Sequence, residues 1–270
     1  MRPHAGVAFS AIPGARLRAG VTLSAILGIV GLAAAACTDV SGSSTSVLSI
    51  EFDSLGAPSV VVGDTLRDTT GAVVHPVVHA FNFQGDEILP APVFFLSPDS
   101  GITVDSLTGI VVGDSLRLTP ARVVATVGSL QAIQNIVVTL RPDLLARVTE
   151  VDTLKYSLSD TTLNVSVALQ VKLTHGIAPD DSVVSSYIVS FAIVAQSDPQ
   201  LGQLVNAGTA SVVDTTDANG IAGRQIRVHP VFLTAPVDSI VVSATAKYRG
   251  VQVNGSPVRL VLVLQPPGNP

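Results

Sequence analysis

Leu163-Asn164-Val165-Ser166-Val167-Ala168-Leu169-Gln170-Val171-Lys172-Leu173 and Ser239-Ile240-Val241-Val242-Ser243-Ala244-Thr245-Ala246-Lys247-Tyr248 carry the cleanest apolar alternation in the chain. In the first, Leu163, Val165, Val167, Leu169, Val171 and Leu173 fall on one side of an extended chain, with Asn164, Ser166, Gln170 and Lys172 on the other. In the second, Ile240, Val242, Ala244, Ala246 and Tyr248 oppose Ser239, Ser243, Thr245 and Lys247. A period of two with one apolar face describes a strand half buried in an antiparallel sheet.

The flanking sequence has the same texture. From Val47 onward, short runs rich in Val, Ile and Leu are broken by Gly, Pro, Asp and Asn at strand-like intervals, which disfavours helix. The expected fold is all-β, a sandwich or barrel of antiparallel strands, in two tandem units after an N-terminal signal or anchor segment. Arg141-Pro142-Asp143 divides them, because Pro142 ends the apolar run Ala132–Leu140 and has no amide to extend it. The expected units are 47–141 and 143–266, near the size of immunoglobulin-like domains. The Pro-rich tail, 267–270, is expected to fray.

One short repeat stands out. Val61-Val62-Gly63-Asp64-Thr65-Leu66-Arg67 recurs as Val111-Val112-Gly113-Asp114-Ser115-Leu116-Arg117. It reads either as a duplicated binding loop or as a recurring strand–turn junction with Gly-Asp in the turn. The second reading is preferred, since only an Asp and an Arg in the repeat could do chemistry.

Ahead of the β-rich region, Arg2, Arg16 and Arg18 precede an uncharged apolar segment, Ala19–Cys37, that ends Ala33-Ala34-Ala35-Ala36-Cys37. A basic flank, an apolar run and small residues at the exit are the parts of an export signal. The end resembles bacterial lipoprotein signals, cut just before a cysteine; that resemblance implies a signal peptide over 1–36 and a lipid on Cys37. Thr38 at the next position implies the outer membrane of a two-membrane cell. Ordinary secretion and an uncut anchor are the competing readings, and all three export the chain. Residues 37–46 then form the lipidated cysteine and a flexible Ser/Thr tether of roughly 15–20 Å.

Only 13% of the 270 residues are charged, about half the usual share. Loss of the three signal arginines leaves 12 Lys and Arg against 20 Asp and Glu, a net charge of −8. An acidic chain without a basic cluster argues against nucleic acid as a partner. Cys37 is the only cysteine, so no intramolecular disulfide can staple the sandwiches, and cohesion must come from aliphatic burial.

Pro92-Val93-Phe94-Phe95-Leu96-Ser97-Pro98-Asp99, followed by Ile102-Thr103-Val104-Asp105-Ser106-Leu107-Thr108-Gly109, resembles the second group of bacterial immunoglobulin-like domains, with Phe95 at that family's Trp position. Thr216-Asp217-Ala218-Asn219-Gly220-Ile221-Ala222, Asp238–Ala244, Tyr248-Arg249-Gly250-Val251 and Gly255-Ser256-Pro257-Val258 are similar to first-group domains of invasins and intimins. The resemblance implies two tandem immunoglobulin-like antiparallel β-sandwiches, of the kind that form stalks, spacers or adhesive tips of surface proteins.

Candidate chemistry is sparse. His75 and His79 would converge on one face of a helix, but in a strand they lie about 13 Å apart, too far to share an ion. Thr215-x-Asp217-x-Asn219-Gly220 is a near match to a calcium loop, with Thr215 at the first position and Ile226 where a bidentate Glu belongs. Asp214, Asp217 and Asn219, with Asp180 and Asp181, are the calcium candidates. The competing reading is a plain hairpin turn at Asn219-Gly220, where both residues tolerate positive φ. No cofactor is expected, and no catalytic motif occurs. Glu51, Glu87 and Glu150 have no evident partner acid.

The leading expectation is therefore a non-enzymatic, envelope-anchored structural or adhesive display module with a protein or cell-surface partner. A periplasmic accessory lipoprotein docked on an envelope complex is the alternative. A third is an enzyme with a site at the junction of the two units, marked by His175 or His229 beside a carboxylate.

Overall fold

The computed structural model describes residues 46–53, 55–148, 151–160, 162, 164–176 and 178–266. The expectations for the 1–36 signal, Cys37, the tether as far as Thr45, Leu163, Glu150 and the tail 267–270 lie outside them.

Residues up to Thr139 form eight short strands: β1 (Ser49–Phe52), β2 (Ser59–Val61), β3 (Val78–Phe81), β4 (Phe94–Leu96), β5 (Ile102–Val104), β6 (Val111–Gly113), β7 (Ala121–Val127) and β8 (Leu130–Thr139). Four pair in the order β2-β8-β7-β4, while β1–β3 and β5–β6 are separate two-stranded ladders. The β7–β8 hairpin is closed by Gly128-Ser129 between the paired Val127 and Leu130, with Gly128 at φ 59, as a two-residue hairpin loop requires. Val60, Phe95, Val123 and Ile136 from the four-stranded sheet meet Ile102 and Val111 in one apolar core.

The remaining strands are β9 (Leu144–Arg147), β10 (Val151–Lys155), β11 (Leu169–His175), β12 (Ser182–Val183), β13 (Ile188–Ala195), β14 (Gly202–Asn206), β15 (Thr209–Ala210), β16 (Val213–Thr215), β17 (Ile221–Val228), β18 (Asp238–Thr245), β19 (Lys247–Tyr248), β20 (Val251–Gln252) and β21 (Val258–Gln265). Eleven of them build a five-stranded sheet, β10-β21-β18-β13-β16, over a six-stranded one, β12-β11-β17-β14-β15 with β9 against β11, and β19 and β20 pair as a separate two-stranded ladder. Leu169, Val171, Leu173 and Ile226 of one sheet pack on Phe191, Ile240, Val242, Leu260 and Leu262 of the other. Both sandwiches belong to one contiguous unit, Ser44–Pro270. Among the described residues, no helix is long and apolar enough to cross a membrane.

The all-β sandwich expectation holds, with two amendments. Pairing is not wholly antiparallel: β2 runs parallel to β8, and β10 parallel to β21. In each sandwich an early strand thus lies beside the last, and the intervening strands supply the long crossover that parallel pairing needs.

The second amendment concerns the alternation from Leu163 to Leu173. Leu169, Val171 and Leu173 face the core, but upstream Asn164 (0% exposed) and Ser166 (2%) are the buried residues and Val167 is 62% exposed. Val165 bridges Arg227, whereas Leu169 pairs with Arg224. Four steps on one strand thus face three on the other, and this β-bulge inverts which residues point inward. Ser166 is held inside by its hydroxyl, which accepts from the Ile226 amide at 2.9 Å and donates to the Val167 carbonyl at 2.7 Å. The second alternating stretch shows no such slip: Ile240, Val242, Ala244 and Ala246 are all fully buried.

Candidate functional site: the cleft at the sandwich junction

The two copies of the repeat lie against each other. Gly63 N donates to Gly113 O at 2.7 Å, Gly113 N to Asp64 O at 2.9 Å and Leu66 N to Val111 O at 2.9 Å. Their chemistry then diverges. In the first copy Gly63 sits at φ 75 and the Asp64 amide closes a turn onto Val61 O at 3.0 Å. In the second, Gly113 is an ordinary strand residue pressed onto the Val61 carbonyl, where a Cβ would lie 2.6 Å away. The strand–turn reading therefore describes only the first copy. Leu66 is buried and Leu116 is 54% exposed, while Asp114 bonds Thr103 at the surface.

Asp64 is the polar centre of the junction. Its side chain is 3% exposed and takes Arg67 Nε at 3.2 Å, Arg249 Nε at 2.8 Å and the Thr65 amide at 2.8 Å. Burial pushes this carboxyl up, but the Arg249 hydrogen bond, the Thr65 amide, Tyr248 and Arg67 outweigh it and hold the carboxyl at about 2. Arg249 and Gly250 form the two-residue loop between β19 and β20, at φ 51 and 79, the pair of positive values a type I′ turn demands. The Arg249 guanidinium lies over the Tyr248 ring, 5.3 Å from its centre.

The hairpin tip fits against the loop after Arg67 with no room to spare. A Cβ on Gly71 would lie 2.3 Å from Gly250 N, and one on Gly250 would lie 2.6 Å from Thr70 O. Ser59 Oγ donates to Ser186 O at 2.6 Å, and Ile188 packs against the N-terminal core. Between these contacts opens a cleft of about 410 Å³, lined among others by Val61, Asp64, Arg67, Ile188, Lys247 and Arg249. Burial pushes the Tyr187 phenol, also on its wall, well above its usual range, and its hydroxyl donates to Lys247 O at 2.7 Å.

The other residues singled out in the sequence are placed elsewhere. Asp217 Oδ1 accepts the Asn219 and Ile221 amides at 2.8 and 2.9 Å, and Asp214 is spent on Arg224 at 2.8 Å and the Gly223 amide at 2.7 Å. Gly220 is at positive φ and Asn219 is not, so the turn carries its left-handed residue at Gly220 alone. It also links strands of different sheets, β16 and β17, rather than a paired hairpin. Asp181 lies 4.0 Å from Lys172 Nζ. Among the described residues no three His, Cys, Asp or Glu side chains group to hold a metal. His75 turns to Thr108 O and His79 to Glu87. His175 does stand 2.7 Å from a carboxylate, Asp143, and the His229 amide donates to Leu201 O. Neither histidine lines the cleft.

Sequence reasoning looked to the junction of the two units but marked it with His175 and His229, which do not line the cleft, although a better signal was there. The repeat put Asp64 and Arg67 in view, and Arg249 in a two-residue loop is an unusual choice at positive φ.

No protein-family model and no curated protein sequence matches the chain. Similar solved structures include domains 1–6 of the surface layer protein SbsC, at a TM-score of 0.32 and 10% identity over 84% of this chain. The chain spans 29% of that structure's length. Human protocadherin-24 EC1-2 is similar at a TM-score of 0.26 and 12% identity, over 83% of this chain and 100% of that one. The endo-fucoidan hydrolase MfFcnA9 of glycoside hydrolase family 107 is similar at 0.34 and 8% identity, over 82% of this chain and 34% of that one. Scores this low decide nothing, and the fold rests on the strand pairing itself.

Proposed function

We propose that the chain is an envelope-anchored structural module: a lipid on Cys37 fixes one end, and two stiff sandwiches, 47–141 and 143–266, carry surfaces away from the membrane toward a protein or cell-surface partner. The observation that carries this reading is the junction. A spacer must resist bending where its units meet, and here a buried carboxylate, Asp64, is clamped by Arg249 from the other sandwich, while glycines allow backbone to press on backbone. The polar groups at the cleft support display over catalysis, because the lone pairs of Asp64 are already spent on Arg67, Arg249 and Thr65.

Mass spectrometry of the mature protein tests the anchor. An acylated N-terminal Cys37 is expected; an N-terminus elsewhere with an unmodified thiol overturns it. Protease added to intact cells tests the display, with cleavage expected. A chain protected on intact cells and digested only after the outer membrane is opened would shift the reading to an inward-facing accessory lipoprotein.

A further inference from the structure

Most charged groups of the junction cleft are committed, and those left over are cationic. Asp64 is saturated by Thr65, Arg67 and Arg249. Asp68 is turned back on its own loop, accepting from Thr70 at 2.7 Å and from the Ala72 amide at 3.1 Å. Arg67 gives Nε to Asp64 and Nη1 to Gly71 O. Arg249 gives Nε to Asp64, and its Nη groups go to no carboxylate or carbonyl among the described residues, with the side chain 52% exposed. Lys247 lines the same cleft and makes no ion pair among the described residues.

Among the described residues, three cations, Arg67, Lys247 and Arg249, and two carboxylates, Asp64 and Asp68, line the cleft. It therefore holds one unbalanced positive charge, in a chain whose net charge is −5. A cleft of about 410 Å³ is within the range that takes small organic ligands. Its other wall is apolar, with Ala57, Pro58, Val61 and Ile188.

We propose that this cleft binds a small amphipathic monoanion, a carboxylate with an apolar body: the carboxylate on Arg249 and Lys247, the body against Val61 and Ile188. Three features select that class. A guanidinium held at Nε presents its remaining nitrogens as a planar fork matched to a carboxylate. One spare positive charge balances a monoanion and leaves a phosphate dianion half uncompensated. The facing aliphatic wall favours an apolar chain over a sugar, and the Tyr248 ring that could have stacked on a sugar is covered by Arg249. Asp64 positions the site without touching the ligand.

The test is amide-detected NMR titration of the full chain with hexanoate, acetate, neutral hexanamide and inorganic phosphate. The proposal expects saturable shifts from hexanoate at Thr65–Thr70, Tyr187–Ser190 and Lys247–Gln252. Acetate should bind at least about tenfold more weakly, since it lacks the apolar body, and hexanamide should not saturate. Arg249→Gln should weaken hexanoate about tenfold or more. Because Arg249 also joins the sandwiches, Lys247→Gln is the deciding variant: a several-fold loss is expected with an unchanged unfolding midpoint. Equal binding of hexanoate and hexanamide, phosphate binding in place of hexanoate, shifts outside these segments, or undiminished binding by Lys247→Gln overturns the proposal.

Discussion

Arg249 reaches across 185 positions of sequence to place its Nε 2.8 Å from Asp64 Oδ2. The two ends of this bond are unequal, with side-chain exposures of 52% and 3%. Removing the buried partner should therefore cost more than removing the exposed one. Asp64→Ala removes at once the charged acceptor shared by Arg67, Arg249 and the Thr65 amide and is expected to destabilise by about 3 kcal/mol. Arg249→Ala, which leaves Asp64 still held by Arg67 and Thr65, is expected to cost clearly less, as an exposed partner screened by water should. Urea unfolding of the two variants and their double mutant measures both values and the coupling; equal costs would remove Asp64 from the centre of the junction.

The same carboxylate sets an acid limit. In the fold it titrates at about 2 against an ordinary 3.8. Its contribution is complete above the higher value and is lost as pH falls through the interval to the lower one. Asp64→Asn has no such proton to take up. The stability gap between the native chain and Asp64→Asn should hold steady above about pH 4 and shrink toward pH 2. A gap of constant size down to pH 2 would mean that Asp64 keeps an ordinary pKa.

Glycines at positive φ separate local strain from contact across the junction. A Cβ added at Gly63, φ 75, would meet nothing within 4 Å, whereas at Gly71, φ 91, it would lie 2.3 Å from the Gly250 amide nitrogen. Gly63→Ala should cost only the left-handed penalty, about 1 kcal/mol. Gly71→Ala adds a backbone clash that only separation of the two surfaces can relieve, and about 3 kcal/mol is expected. If both variants unfold at the same denaturant concentration, the hairpin does not press on this loop.

Strand content and the faces of β18 were legible because the apolar period of two runs unbroken from Ile240 to Ala246. The face of residues 164–167 was not. A bulge adds one residue and reverses every later side chain, and nothing in the run of alternating residues marks where it falls. The junction was half legible. The repeat announced Asp64 and Arg67, yet the duplicated pattern hides that only one copy is buried, and Arg249 lies far away in sequence. Its loop carries the clue, since an Arg-Gly pair at two positive φ values needs an outside partner to hold it. Asn219-Gly220 had the stronger turn signature but closes a link between sheets, where Asp217 takes the free amides.

The bulge predicts its own weak point. Ser166, 2% exposed, satisfies the Ile226 amide at 2.9 Å. Ser166→Ala leaves that buried donor unpaired and should cost about 2 kcal/mol. Val167→Ser, on the outward side of the same bulge, should be nearly neutral. Reversed costs, read by thermal unfolding, would restore the uninterrupted alternation.

His79 and Glu87 provide a pH response of opposite sign on the N-terminal sandwich. His79 Nδ1 stands 2.6 Å from Glu87 Oε1, and that hydrogen bond raises the imidazole above its ordinary 6.5, with the charges of Glu87, Asp53 and Glu51 adding to it. A raised folded value means the pair stabilises below 6.5 and that this contribution disappears as pH climbs through the folded pKa. Both groups are over a third exposed, so salt should damp the effect. NMR titration of the His79 ring should show a midpoint above 6.5 that falls back in Glu87→Gln. The stability difference between the two proteins should be largest near pH 6 and close at alkaline pH, whereas a midpoint unmoved by Glu87→Gln would assign the shift to the more distant acids.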